Sequence, residues 1–183
     1  MTLSIALRLF AATALSTAAA PAAWDRLAPL PVPNGGFIAA GSGDRIIAVG
    51  GVTWKDDTKI WLNGIWSYDP ARNAWSESGP LPAPLAYSVS GSDGATMWFA
   101  GGSSGERTQR NLWRIDSGQP PRVVASIDPA LVYAAGGLIG TTLYAAGGTD
   151  DQAAIERITN RFVGIDVRTG QTTRLPDYPE ASL

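Results

Sequence analysis

An all-β fold of the propeller type is predicted by three features of the sequence. An apolar run ending in two glycines occurs three times: Ile46-Ile47-Ala48-Val49-Gly50-Gly51, Met97-Trp98-Phe99-Ala100-Gly101-Gly102 and Leu143-Tyr144-Ala145-Ala146-Gly147-Gly148. The second glycines stand 51 and then 46 residues apart, a period suited to blades of four short strands. A separate pattern shares the first offset: Trp24, Pro29, Leu30, Pro31 and Pro33 return 51 residues later as Trp75, Pro80, Leu81, Pro82 and Pro84. The third feature is the content of the segments between turns, which are β-branched, aromatic and alternating at period two.

Each unit reads as four strands in order. The first is a small-residue run, expected at Phe37-Ile38-Ala39-Ala40, Ala86-Tyr87-Ser88-Val89 and Val132-Tyr133-Ala134-Ala135, where small side chains suit a crowded inner strand. Tight reversals follow at Ser42-Gly43-Asp44, Ser92-Asp93-Gly94 and Ile139-Gly140-Thr141. The second strand ends in the double glycine, where only a residue without Cβ turns sharply against a neighbouring blade, so Gly50, Gly51, Gly101, Gly102, Gly147 and Gly148 are structural. A variable loop leads to the third strand, expected at Ile65-Trp66-Ser67-Tyr68-Asp69, Leu112-Trp113-Arg114-Ile115-Asp116 and Phe162-Val163-Gly164-Ile165-Asp166. Asp69, Asp116 and Asp166 recur at one place and read as turn formers. The fourth strand is expected at Ala74-Trp75-Ser76, Arg122-Val123-Val124-Ala125 and Gln171-Thr172-Thr173-Arg174-Leu175, with Trp75 and Tyr68 in the core.

Composition narrows the chemistry. The chain has 183 residues, 45% hydrophobic and 16% charged, with a net charge of −2. That balance folds, and it offers no basic patch for a nucleic acid. There is no Cys and no His. Disulfides, thiolate nucleophiles, Ser-His-Asp triads and imidazole or thiolate metal sites are therefore excluded within these residues. No metal and no cofactor are expected. Residues 1–22 read as a secretory signal, with an apolar stretch from Ile5 to Leu15 interrupted by Arg8 and a cleavage site at Ala20-Pro21-Ala22. The expected location is a bacterial periplasm or the exterior, with no membrane partner after cleavage, because the apolar part is short of the ~20 residues of a span.

The double glycine, then Tyr68-Asp69-Pro70, then Trp75 about two dozen residues on, resembles the kelch repeat over residues 24–183. The second and third units carry Val123-Val124 and Thr172-Thr173 where the first has Trp75, and β-branched residues also fill a half-buried strand face. Asn34-Gly35-Gly36-Phe37, Gly50-Gly51, Asn63-Gly64-Ile65-Trp66 and Leu81-Pro82-Ala83-Pro84-Leu85-Ala86-Tyr87-Ser88 resemble the N-acetylneuraminate epimerase (sialic acid mutarotase) family of exported bacterial kelch proteins, in particular its cyclically permuted members. The expected layout is a kelch β-propeller over residues 23–183, with blades at 34–82, 83–128 and 129–176 and residues 23–31 as the closing strand of the last blade. That is about three four-stranded blades of the six the resemblance implies. The expectation is a fragment of a longer propeller, or else two copies associating to close a ring.

The resemblance implies a sugar mutarotase, whose reaction needs one group to protonate the ring oxygen and another to take the anomeric proton. The loops after the double glycines carry the candidates, because rigid strands position loops for function. Glu106, Arg107 and Arg110 form the sharpest cluster and are the catalytic candidates, with the pair left open. Trp54, Trp61, Arg107 and Arg157 are candidates for binding the substrate, Trp for the apolar face of a pyranose and Arg for a carboxylate. Each has a plain structural alternative: a solvated loop for the charges, blade packing for the tryptophans. Residues 151–160 have room for one helical turn. The competing functions are a non-catalytic propeller that binds a carbohydrate or protein, and a copper-radical kelch oxidase, which the absence of His and Cys disfavours within these residues.

Overall fold

The computed structural model describes residues 24–179, and the expected signal segment, residues 1–22, lies outside them. The described residues form fourteen strands: β1 (Ile38–Ser42), β2 (Arg45–Val49), β3 (Val52–Lys55), β4 (Thr58–Trp61), β5 (Gly64–Asp69), β6 (Ala74–Pro80), β7 (Val89–Ser92), β8 (Thr96–Ala100), β9 (Asn111–Asp116), β10 (Arg122–Ser126), β11 (Ala135–Ile139), β12 (Thr142–Ala146), β13 (Phe162–Asp166) and β14 (Thr172–Leu175). They make three four-stranded antiparallel meanders, β1-β2-β5-β6, β7-β8-β9-β10 and β11-β12-β13-β14, plus a two-stranded hairpin, β3-β4. Among the described residues a single 3-10 turn, Ile155–Arg157, lies in the third loop. Among the described residues no helix is long and apolar enough to cross a membrane.

The meanders stand side by side as blades, with their first strands together. β7 lies against both β1 and β11. The Cβ that Gly91 lacks would fall 2.4 Å from the Leu138 nitrogen, so a glycine lets β7 close on β11. Side chains and backbone tie the same region: the Ser90 hydroxyl donates to the Ala39 carbonyl at 3.2 Å and the Ser42 hydroxyl to the Ala95 carbonyl at 2.8 Å.

The core is built between blades rather than within them. β8 is buried along its whole length because both faces are covered. Its period-two alternation divides it: Met97 and Phe99 pack with Ile38 and Ile65 of the first unit and with Leu85 on the crossover into the second, while Trp98 and Ala100 pack with Leu143, Val163 and Ile165 of the third. β9 divides in the same way, with Trp113 and Ile115 on the first side and Leu112 on the second. Phe99 and Trp113 stack at 5.9 Å. Burial of an aromatic side chain on this scale contributes about 1.5–3 kcal/mol.

The double glycines carry the blade-to-blade join. Gly50 and Gly101 have φ of +60° and +68°. A Cβ at Gly50 would sit 1.9 Å from the Leu85 carbonyl oxygen, and one at Gly101 would sit 2.0 Å from that of Leu131. The Gly51 N–H donates to the Leu85 carbonyl at 2.8 Å and the Gly102 N–H to the Leu131 carbonyl at 2.7 Å. Each pair thus bends left-handed and meets the segment that enters the next blade.

Three expectations differ from what is observed. The inner strands of the second and third units begin at Val89 and Ala135, three residues later than expected. Tyr87 and Tyr133 adopt φ of +62° and +65°, which no strand continues through, and the residues before them, Ala86 and Val132, make single bridges to Ser103 and Thr149 instead. Residues 24–30 form no strand. A strand needs a ladder partner, and this segment instead lies on the outer edge of the first blade, where the Ala28 N–H donates to Asn73 Oδ1 at 2.7 Å. Trp75, expected in the core, is half-buried on outer strand β6: its indole donates to the Ala28 carbonyl at 3.0 Å and its ring meets Tyr68 at 5.1 Å.

Candidate functional site

One face of the assembly gathers the loops that follow the double glycines together with the crossovers that lead from one blade into the next. Single bridges join the two sets: Gly35 with Val52, Ala86 with Ser103 and Val132 with Thr149. A second chain of backbone bonds crosses the blades beside them. The Tyr87 N–H donates to the Gly36 carbonyl at 2.8 Å, and the Tyr133 N–H donates to the Tyr87 carbonyl at 3.2 Å. Gly36, Tyr87 and Tyr133 are spaced by the same 51 and 46 residues as the glycine pairs, and all three have positive φ.

The first loop, expected to be irregular, folds into the β3-β4 hairpin, with Val52 opposite Trp61 and Trp54 opposite Lys59. Directly opposed residues share a face, so Trp54, Lys59 and Trp61 lie on one side of the hairpin. Trp61 meets the Tyr87 ring edge-on at 5.9 Å, and Tyr87 meets Tyr133 at 4.9 Å. The Lys59 ammonium lies 4.5 Å from the Trp61 ring centre and 5.0 Å from that of Tyr87. Trp54, by contrast, is 65% exposed.

The second loop is held from both sides. Gly105 lies so close to the Trp61 indole that a Cβ would come within 2.7 Å of Nε1. From the third loop, the Gln152 side chain accepts a hydrogen bond from the Ser103 hydroxyl and donates to the Gly105 carbonyl at 2.9 Å. The Gln152 N–H donates to Thr108 Oγ1 at 2.8 Å. Glu106 and Arg107 project from this clamped turn. Both are exposed, and both line a depression of about 380 Å³ floored by Leu85 and Trp113 and walled by Pro82, Pro84 and Asn111.

The expected site residues do not all meet there. Glu106 and Arg107 share the depression. Arg110 is turned to the Asp128 carboxylate on the crossover into the third blade, an ion pair that pins the end of the loop. Trp61 belongs to the aromatic group with Tyr87, packs on Gly105 and does not line the depression. Trp54 stands out on the hairpin, and Arg157 is exposed on the 3-10 turn. Lys59, Tyr87, Tyr133 and Gln152 carry no site signal in composition or charge pattern. The register of Tyr87 and Tyr133 with Gly36 is the signal that points to the two tyrosines.

The recurrent aspartates lie at the ends of β5, β9 and β13. Asp69 and Asp166 close their turns, accepting from the Ala71 N–H at 2.9 Å and the Arg168 N–H at 2.9 Å respectively. The Arg168 guanidinium and N–H hold the Asp166 carboxyl down to about 2. Asp116 departs from the pattern: it gathers Arg114 at 2.6 Å and the Thr96 hydroxyl at 2.8 Å, and Arg114 above all keeps its carboxyl below the ordinary range. The backbone N–H groups of Thr96 and Ala95 do the same for Asp93. Among the described residues no group of three or more acidic side chains is placed to hold a metal ion.

Residues 33–82 match the Kelch motif. The chain is 27% identical over 184 residues to the Kelch-like protein terF of Aspergillus terreus, an alignment that covers 87% of this chain and 38% of that protein. It is 32% identical over 84 residues to Beta-scruin of Limulus polyphemus, covering 44% of this chain and 9% of the relative. Among solved structures it resembles the one titled "Structure of YjhT", with a TM-score of 0.73 at 15% identity over 85% of this chain and 56% of that one. The chain therefore spans well under half the length of these curated relatives and just over half of that solved chain. Its fold is that of a kelch β-propeller, and the described residues form three blades.

Proposed function

We propose that this chain is part of an exported sugar mutarotase that interconverts the anomers of N-acetylneuraminate or a related sugar. One observation carries the reading: Glu106 and Arg107 stand side by side on the wall of the loop-face depression, with Trp113 at its floor. Anomer exchange breaks the bond between the anomeric carbon and the ring oxygen and reforms it on the other face. The Glu106 carboxylate takes the anomeric hydroxyl proton as the carbonyl forms, and the proton is returned when the ring recloses. The Arg107 guanidinium, always charged, holds the departing ring oxygen while water protonates it. The resemblance in the first two units and the signal-like residues 1–22 support the substrate and the compartment. Freshly dissolved N-acetylneuraminate relaxing to anomeric equilibrium is followed by optical rotation. The reading expects faster relaxation with protein than in buffer, and an unchanged rate overturns it.

A second reading is a non-catalytic propeller that binds a carbohydrate or protein. It is favoured by the hairpin that projects Trp54, 65% exposed, from the loop face. Binding without any change in anomer exchange would select it.

A further inference from the structure

We propose that Lys59, Trp61, Tyr87 and Tyr133 form a subsite that holds the carboxylate of an acidic sugar ring; this deepens, and rests on, the sugar reading above. Four observations converge on it. Tyr87 and Tyr133 are held at φ of +62° and +65°, a conformation that bulky side chains rarely adopt. The same place in the first unit is a glycine, Gly36, and the Tyr87 ring packs directly on it, where a Cβ would fall 2.1 Å from Cε1. Strain repeated in two successive blades is the kind that a binding site retains. Among the described residues, neither phenol forms a hydrogen bond and Lys59 has no carboxylate within 4 Å, so two donors and one ammonium are left for a ligand.

The chemistry of the group selects the ligand class. The Lys59 ammonium is held over Trp61 and Tyr87 by their ring faces alone, at 4.5 and 5.0 Å, and is half-buried. A partly desolvated ammonium without a counter-ion attracts an anion. The phenols offer hydrogen bonds to the hydroxyls of a pyranose. Gly105, packed on the Trp61 indole, links this subsite to the turn that presents Glu106 and Arg107. None of the subsite's four residues lines the Glu106–Arg107 depression, so the subsite stands beside it.

The test is calorimetry with N-acetylneuraminate and its methyl ester, which differ by one charge, against wild-type protein, Lys59→Met and Lys59→Arg. Near-ultraviolet circular dichroism checks that each variant is folded. Wild-type and Lys59→Arg should prefer the acid by about tenfold or more, and Lys59→Met should bind the two alike. A preference that survives in Lys59→Met overturns the subsite and leaves the sugar reading standing. Wild-type protein that binds neither compound overturns both.

Discussion

Replacing Gly101 with alanine tests the blade-to-blade join. The residue has φ of +68°, and a Cβ there falls 2.0 Å from the Leu131 carbonyl oxygen, which also accepts the Gly102 N–H at 2.7 Å. Left-handed backbone with a Cβ costs about 1–2 kcal/mol. Moving the carbonyl away forfeits its hydrogen bond, about 1 kcal/mol. Leu131 is 5% exposed and part of the core between the second and third blades, so shifting it costs on the order of another 1–2 kcal/mol. The sum is about 3–5 kcal/mol, against a total stability of roughly 5–15 kcal/mol for a domain. Gly118 is the control: its φ is +71°, yet nothing lies within 4 Å of its missing Cβ. Gly118→Ala should therefore cost only the backbone strain, about 1–2 kcal/mol. The gain from restricting the unfolded chain is common to both changes and cancels. Urea unfolding followed by tryptophan fluorescence gives the two values. Equal losses would mean that the glycine pair does not seat the next blade.

Two further perturbations have definite outcomes. Gln152→Ala removes the side-chain bonds to Ser103 and Gly105 and leaves the fully buried Ser103 with one partner fewer. It should cost about 1–3 kcal/mol and speed amide hydrogen exchange across residues 103–108, and unchanged exchange there would show that the turn holds itself. Asp93, Asp116 and Asp166 all have folded values below the ordinary carboxylate value of about 3.9. Their stabilisation is complete above that value and is lost as pH falls through the folded values, about 2 for Asp166. The chain has no His. The melting temperature should therefore hold from neutrality to about pH 5 and fall below about pH 4, and a fall beginning above pH 5 would contradict this assignment.

How much was legible in sequence follows from where the information lies. β8, with Met97-Trp98-Phe99, is buried on both faces and β12 alternates strictly, so composition and period mark them. Tyr87 and Tyr133 look like strand residues and only their backbone sets them apart, so the first strands of the second and third units begin three residues later than composition suggests. Trp75 looked like core because of its bulk, although what covers it is the segment around Ala28, 47 residues away in the chain. The glycine pairs were legible because a crowded left-handed turn admits little else. At the loop face, charge alone drew attention to Glu106, Arg107 and Arg110. Whether a charge is free or spent depends on partners distant in sequence, and Arg110 is taken by Asp128. Lys59 is illegible for a related reason: its environment is made by Trp61 and Tyr87, and Tyr87 belongs to the next blade.

Two-dimensional exchange NMR on an equilibrated solution of N-acetylneuraminate measures the central claim, because it reads the α–β interconversion rate at the anomeric centre itself. Wild-type protein should raise that rate above buffer, and Glu106→Gln should lower the enhancement roughly 100-fold or more while binding persists. An exchange rate in the presence of wild-type protein equal to that of buffer would contradict the account.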